Sequence, residues 1–229
     1  MEEKKIFKLG LRICWVLFVI FFAVFSTSSY YADSVAIQDI TLQADTWETG
    51  KVVINEVYYD PIGAEPDEEW IEIYNSSNQA IDLTGYKIGD EETLGGGEGM
   101  YQFPTGTVIS GNGFLVIANK ASAFFNLYGF LPDFEINETN PAVPNLSKYS
   151  VWSTGSLNLS NSGDEVLLLN SSDSVVDAVV YGSGSFGGII PHPGVIAGHS
   201  IERSPRGKDT DNCALDFIDQ VNPTPGAGI

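Results

Sequence analysis

The sequence predicts an all-β protein, an antiparallel β-sandwich preceded by an N-terminal hydrophobic signal helix. About eight short strand-like segments follow one another from residue 51, separated by turn-forming clusters, and only one later stretch suits a helix. The 24 glycines and 11 prolines among 229 residues supply the turns. Apolar residues make up 43% of the chain, enough for the core of one domain. Since no repeat of fixed period is visible, the sequence argues against a solenoid or a propeller.

The predicted strands combine β-branched and aromatic residues with alternating polarity. The first, Val52–Tyr59, ends at an Asp-Pro turn, and in the second, Glu69–Tyr74, Ile71 and Ile73 share one face. Further strands are predicted at Ile81–Leu83, Tyr86–Ile88, Thr107–Ile109, Phe114–Ile117, Ser156–Leu159, Glu165–Leu169, Val175–Tyr181 and Ser200–Arg203. The predicted inter-sheet core includes Ile54, Ile71, Ile73, Val116, Leu168 and Val179. Ala121–Tyr128, closed by Gly129, is the predicted helix.

The first 36 residues have the pattern of a signal peptide. Four basic residues precede an uncharged run, Ile13–Phe25, whose 13 residues are too few to span a bilayer. Small residues at Ser34 and Ala36 predict cleavage after Ala36, with Ala32 as the second choice and an uncleaved anchor as the alternative. Residues 1–36 are therefore predicted to be the signal peptide, 37–50 a lead-in segment and 51–226 the sandwich. The expected location is secreted or cell surface, with membrane contact only through an uncleaved signal segment.

The charge and the rarity of cysteine and histidine exclude several classes of protein. There are 30 acidic and 11 basic residues, a formal net charge of −19. Removing the signal peptide leaves 27 acidic and seven basic residues, a charge of −20, which makes a nucleic-acid partner unlikely. With two cysteines and two histidines, the sequence argues against a zinc ribbon or a disulfide scaffold. Because Cys14 lies in the signal segment, Cys213 is left without an intramolecular partner.

The order of several segments is similar to that of a known family. Val53–Val57, Glu69–Asn75 and Asp82–Ile88 resemble, in sequence and spacing, the opening of the lamin-tail domain of bacterial exported proteins. Its later blocks are matched by Ala121–Gly129, Leu157–Leu169, Val175–Gly182 and Ser200–Arg203. The resemblance implies an immunoglobulin-like β-sandwich and a module without known catalysis, often attached to exported nucleases, phosphoesterases or surface proteins. No attached enzyme is expected here, because the domain accounts for nearly all of the mature chain.

An acidic loop between the first two strands is the candidate metal site. Its carboxylates are Asp60, Glu65, Asp67, Glu68 and Glu69, and such hard oxygen ligands suit calcium. The alternative is a solvated acidic turn. Asp209 and Asp211 form a second candidate, but Cys213 and Ala214 stand where an EF-hand needs an oxygen ligand and a glycine.

Other motifs argue against catalysis. Gly182–Gly187 matches G-x-G-x-x-G, but a proline-containing loop follows it instead of the helix that a dinucleotide site needs. His192 and His199 belong to no zinc motif, and the chain lacks a G-x-S-x-G nucleophile elbow. We therefore expect no enzymatic activity. Glu69, Glu72 and Arg203 lie in the segments that carry the resemblance, and they are predicted to form an ion pair that bridges the sheets.

These observations predict an exported, non-catalytic lamin-tail-like module that interacts with a protein or a cell-envelope component. The alternative is a calcium- or carbohydrate-dependent adhesion module. That function would need exposed aromatic residues, such as Trp47, Tyr58, Tyr59 or Trp152, beside an acidic calcium loop. No cofactor is expected other than a possible calcium ion.

Overall fold

The computed structural model of the protein describes residues 52–228. The predicted signal peptide, its cleavage site and the lead-in segment lie outside the described residues. The strands are β1 (Val52–Tyr58), β2 (Trp70–Asn75), β3 (Ile81–Asp82), β4 (Lys87–Gly89), β5 (Met100–Gln102), β6 (Val108–Ile109), β7 (Phe114–Ala118), β8 (Phe134–Glu135), β9 (Ser147–Lys148), β10 (Gly163–Leu169), β11 (Val175–Gly182), β12 (Ser200–Arg203) and β13 (Phe217–Gln220). The helices are α1 (Ala121–Tyr128) and α2 (Cys213–Asp216). None of the described helices is long and apolar enough to cross a membrane.

Two sheets form the sandwich, and the predicted fold class is confirmed. The first sheet has the order β13-β12-β1-β2-β7-β8, and the second has the order β11-β10-β4-β5-β9. Their strand pairs are antiparallel except for β7 with β8, and a small third sheet joins β3 to β6. The β12 and β13 strands extend the first sheet beyond β1, so residues far apart in sequence build one layer.

The main core lies between the sheets, as the alternation in β2 predicts. Ile54, Ile71 and Ile73 from the first sheet meet Leu168 and Val179 from the second, and all five are fully buried. Removing such apolar surfaces from water is the main source of stability in a sandwich of this kind.

The prediction that Val116 belongs to this core is wrong. Val116 lies opposite Glu72 in the β2–β7 register, on the outer face of the first sheet. There it packs with Trp70 and Phe124 beneath α1. The sequence did not reveal this because β7 is buried on both faces, which hides the period-two pattern of a half-exposed strand.

The helix α1 has the predicted bounds. It ends at Gly129, whose φ of 77° allows its N–H to donate to the Phe125 carbonyl at 2.8 Å. The helix buries Ala121 and Phe124 against the first sheet, and the indole Nε1 of Trp70 donates to the Tyr128 hydroxyl at 3.1 Å. Part of the outer face of this sheet is thus covered by a helix.

The predicted strand at Ser156–Leu159 does not form a ladder. Side-chain carboxylates, instead of a neighbouring strand, accept the backbone N–H groups at this place. Asn158 donates to Asp90 at 2.8 Å, and Leu159 donates to Glu69 at 3.0 Å. The apolar side chains of Leu157 and Leu159 still enter the core, which explains why the segment reads as a strand.

Candidate functional site

The described histidines and the described cysteine each interact with neighbouring groups of the protein itself. His192 is buried, which lowers the pKa of its imidazole, and its Nδ1 accepts the Gly194 N–H at 3.2 Å. His199 pairs with Asp219 at 2.6 Å at the surface. Burial raises the pKa of the Cys213 thiol to about 11, and its Sγ accepts the Val180 N–H at 3.4 Å. A thiol of this kind is a poor nucleophile.

The structure does not bring the five carboxylates of the predicted calcium loop together. Asp67 forms an ion pair with Lys120 at 2.7 Å, and Glu65 accepts the Asn161 side-chain amide at 2.8 Å. Glu69 turns inward beneath Leu159, whereas Asp60 and Glu68 stay partly exposed in the loop. Among the described residues, no three of these five place ligand atoms within 4.8 Å of one another.

The described carboxylates that do converge lie in the glycine-rich loop after β4. Ligand atoms of Glu91, Glu92 and Glu98 lie within 4.8 Å of one another. Burial, followed by the nearby Asp164, raises the pKa of Glu98 to about 7. The Glu91 carboxylate is already engaged, because it accepts the backbone N–H groups of Thr93 and Glu98 at 2.9 and 2.8 Å. Glu91 therefore stabilises the loop that contains the three glutamates. We do not assign a metal site to this group.

Arg203 bridges the two sheets, but its partner is not the predicted one. Its Nη2 lies 2.9 Å from Oδ2 of Asp177 on β11, and its Nε donates to the Ile54 carbonyl at 3.0 Å. The same Asp177 oxygen accepts the Ile54 N–H at 2.7 Å. Asp209 and Asp216 stand 3.5 and 3.8 Å from Nη1. The buried guanidinium is therefore compensated by carboxylates that the prediction did not include.

Glu69 and Glu72 do not share this pair, so the predicted ion pair is corrected. Ile71 and Ile73 point inward, which places Glu72 on the outer face, whereas Arg203 points inward with Ile201. Glu72 instead accepts the Asn55 side-chain amide at 2.9 Å and the Gly226 N–H. Burial raises the pKa of Glu72 to about 7 and that of Glu69 to about 8.

A row of three buried glutamates holds the C-terminal tail against the first sheet. Glu202, Glu56 and Glu72 are cross-strand neighbours on β12, β1 and β2. The tail covers them, because the N–H of Thr224 donates to Glu56 at 3.1 Å and its hydroxyl donates to Glu202 at 3.3 Å. Burial raises the pKa of Glu56 to about 8. These side chains are structural, and the bulge that places Glu56 opposite Glu72 is not visible in the sequence.

Of the three described aromatic residues proposed for a carbohydrate surface, two lie inside the protein. Tyr58 packs against Trp70 under α1, and Tyr59 stacks on Tyr181 at 3.9 Å between the ring centroids. Trp152 is half-buried, and its Nε1 donates to the Glu91 carbonyl at 2.9 Å. Trp47 lies outside the described residues.

Large apolar side chains are exposed together at the end of α1. Phe125, Leu127, Phe130 and Leu131 are each more than a third exposed, with fractions from 38% to 47%. The Phe130 ring meets Phe124 edge-on at 5.3 Å, so this surface continues into the buried cluster below α1. We call these four exposed residues the α1 patch. Exposed large apolar side chains near one another in sequence are a feature of protein contacts.

A second surface feature lies beside β11. A pocket of about 320 Å³ is lined by this strand, by the loop after it and by Asp211. The loop contains the glycine motif that resembles a dinucleotide fingerprint, but it folds back over the sheet without a helix. The glycine motif therefore marks a turn-rich loop. That this loop forms one wall of a pocket can be seen only in the tertiary structure.

The comparisons with known proteins agree on the architecture. The family model described as "Lamin Tail Domain" matches residues 46–183, which is more than half of the chain. A solved structure of a DUF4876 family protein from Bacteroides thetaiotaomicron VPI-5482 is similar, with a TM-score of 0.57 at 17% identity. That match covers 77% of this chain and 72% of the other, and it supports the fold alone. No curated protein matches the chain. The chain belongs to the lamin tail domain family.

Proposed function

We propose that this protein is an exported, non-catalytic module that binds another protein through the α1 patch. The observation that carries the proposal is the exposure of four large apolar side chains within seven residues of a strongly acidic protein. Solvation does not favour such a surface, so a partner that covers it would gain free energy from the buried apolar area. The described histidines and the described cysteine are engaged by neighbouring groups of the protein, which supports a binding function over catalysis.

The patch is also positioned to bind without rearrangement. The Phe130 ring packs on Phe124, and Phe124 meets Trp70 edge-on at 6.1 Å. Because Phe130 packs on Phe124 of α1, and Phe124 packs on Trp70 of β2, the Phe130 ring loses little side-chain entropy when a partner docks. Rigid aromatic anchors surrounded by smaller contacts are the usual energetic centre of a protein interface.

Site-specific photo-crosslinking in exporting cells tests this function. We expect a photoreactive phenylalanine at position 130 to give one discrete protein adduct. The same probe at Ser172, an exposed turn residue on the second sheet, should give none. Phe125→Asp should remove the adduct without changing the melting curve, since Phe125 is exposed. Equal adducts from both positions, or none from position 130, would overturn the proposal.

The adhesion alternative receives less support. Two of the four aromatic residues it calls on, Tyr58 and Tyr59, are buried, and the acidic loop beside them has no converging set of ligands. A flat aromatic platform for sugars would need exposed rings. We therefore rank protein binding above carbohydrate binding, with export as the setting that the signal-like N-terminus favours.

A further inference from the structure

The pocket beside β11 has apolar walls at the edge of the second sheet. Val175, Val176, Ala178, Phe186 and Ile189 supply its apolar lining, with Gly187 and Gly188 at the turn. Its volume, about 320 Å³, falls at the lower end of the range for ligand pockets. It is separate from the α1 patch, which belongs to the first sheet.

The walls are fixed in place. Phe186 and Ile189 pack on a buried cluster of Met100, Leu167 and Leu169 on the outer face of the second sheet. Beyond the pocket, the Cys213 N–H donates to the Ile190 carbonyl at 2.9 Å, which ties the loop to the segment that carries Asp211. A pocket held on both sides in this way exists before the ligand arrives, so binding costs little ordering entropy.

One half of the β11 edge is covered, and the other half borders the pocket. In the covered half, Gly182 donates to the His192 carbonyl at 2.8 Å, and Val180 accepts the His192 N–H at 2.9 Å. Because backbone groups alternate along a strand, Ala178 faces the same edge as Val180. The Ala178 N–H is occupied by the Asp177 carboxylate at 2.9 Å. Its carbonyl therefore points to the pocket side as an acceptor.

The polar side chains that line the pocket, Asp177 and Asp211, are carboxylates. Asp211 is an exposed carboxylate in the lining, whereas the Asp177 carboxylate is already engaged by Arg203. The lining contains no lysine or arginine. With a net charge of −19 on the chain, this surface selects against anions and favours a cationic donor.

We propose that the pocket binds an arginine side chain of a partner polypeptide. The guanidinium carries five N–H donors, which suit a carboxylate and neighbouring carbonyl oxygens. It is attracted to an aromatic face, and Phe186 is the aromatic residue of the lining. The aliphatic stem of the side chain packs on Val176 and Ile189. If the partner's backbone is extended, it can run beside the part of the β11 edge that borders the pocket. It then avoids the part that His192 covers.

Peptide binding to the full chain tests the proposal. The probe is a fluorescein-labelled, capped Val-Arg-Val peptide, and its matched control carries citrulline, the neutral isostere of arginine. Fluorescence anisotropy is expected to give saturable binding of the arginine peptide and roughly fivefold weaker binding of the citrulline peptide. Equal affinity for both peptides, or no binding of the arginine peptide, would overturn the proposal.

Two variants place the binding in this pocket. Asp211 has a φ of 54°, a conformation that asparagine tolerates, so Asp211→Asn removes the charge without straining the backbone. We expect it to weaken the arginine peptide about fivefold and to leave the citrulline peptide unchanged. Phe186→Leu should weaken both peptides, while the exposed control Glu138→Gln should alter neither. Unchanged binding in Asp211→Asn would assign the peptide to another surface and refute the proposal.

Discussion

Replacing Arg203 by methionine should test which contacts hold the two sheets together. The guanidinium contacts Asp177, the Ile54 carbonyl and the Phe217 ring, whose centroid lies 4.5 Å away. Methionine keeps most of the apolar length of the side chain and removes the charge. The side chains of Arg203 and Asp177 are only 1% and 2% exposed, so solvent cannot replace the lost partner.

The expected loss of stability is about 3–5 kcal/mol, the usual cost of breaking a buried ion pair on one side. Most of this loss comes from the Asp177 carboxylate, which would keep two backbone N–H donors but lose its cation. Arg206→Met is the matched control, because Arg206 is exposed and its guanidinium lies 5.9 Å from the Tyr74 ring. It should cost less than about 1 kcal/mol.

Urea denaturation followed by the fluorescence of the buried Trp70 measures both variants. A double-mutant cycle then separates the observed pair from the pair expected from the sequence. Arg203→Met and Asp177→Asn should couple by about 1–3 kcal/mol, whereas Arg203→Met and Glu72→Gln should add within about 0.5 kcal/mol. A loss below about 1 kcal/mol for Arg203→Met, or coupling to Glu72, would refute the reasoning.

Four further outcomes are expected. The free energy of unfolding should fall as the pH rises from about 5 to 8. The reason is that Glu56, with a pKa raised to about 8, binds its proton more tightly in the folded than in the unfolded state. Glu56→Gln should reduce this dependence without abolishing it, because Glu69 and Glu72 also have raised pKa values. Ile73→Ala should cost about 2–5 kcal/mol in urea denaturation, and a loss under about 0.5 would contradict its burial. Asp67→Asn should leave any calcium effect on the melting temperature unchanged, because Lys120 already neutralises this carboxylate. Mass spectrometry of exported protein should find a mature chain that starts near Ile37, and retention of the first residue would contradict cleavage.

The inward and outward positions of the central strands could be predicted because their pattern is local. Ile71 and Ile73 alternate with Glu72, and the same parity in Ser200–Arg203 places Arg203 on the side of Ile201, away from Glu72. The sequence also contains a signal for Asp177, because it is the one carboxylate inside the apolar strand Val175–Gly182. A charge at an inward position of a buried strand indicates a buried partner.

The candidate sites could not be predicted to the same extent, because they depend on which loops meet. The acidic loop from Asp60 to Glu69 has the composition of a calcium loop, yet Lys120 and Asn161 reach it from distant segments. The α1 patch could not be predicted, because its apolar residues have the same sequence pattern as a helix face that packs into the core. The pocket needs β11, the loop after it and Asp211, which no local pattern connects.

The sequence by itself determined the fold class and the family. The hydrophobic period and the turn residues depend on only a few neighbouring positions, so they can be recognised in the sequence alone. Only the tertiary structure decided the partner of Arg203, the glutamate row under the tail and the walls of the pocket. These features depend on strand order, on the bulge in β1 and on loops that cross between sheets, and such contacts between distant residues are set by the packing of the whole domain.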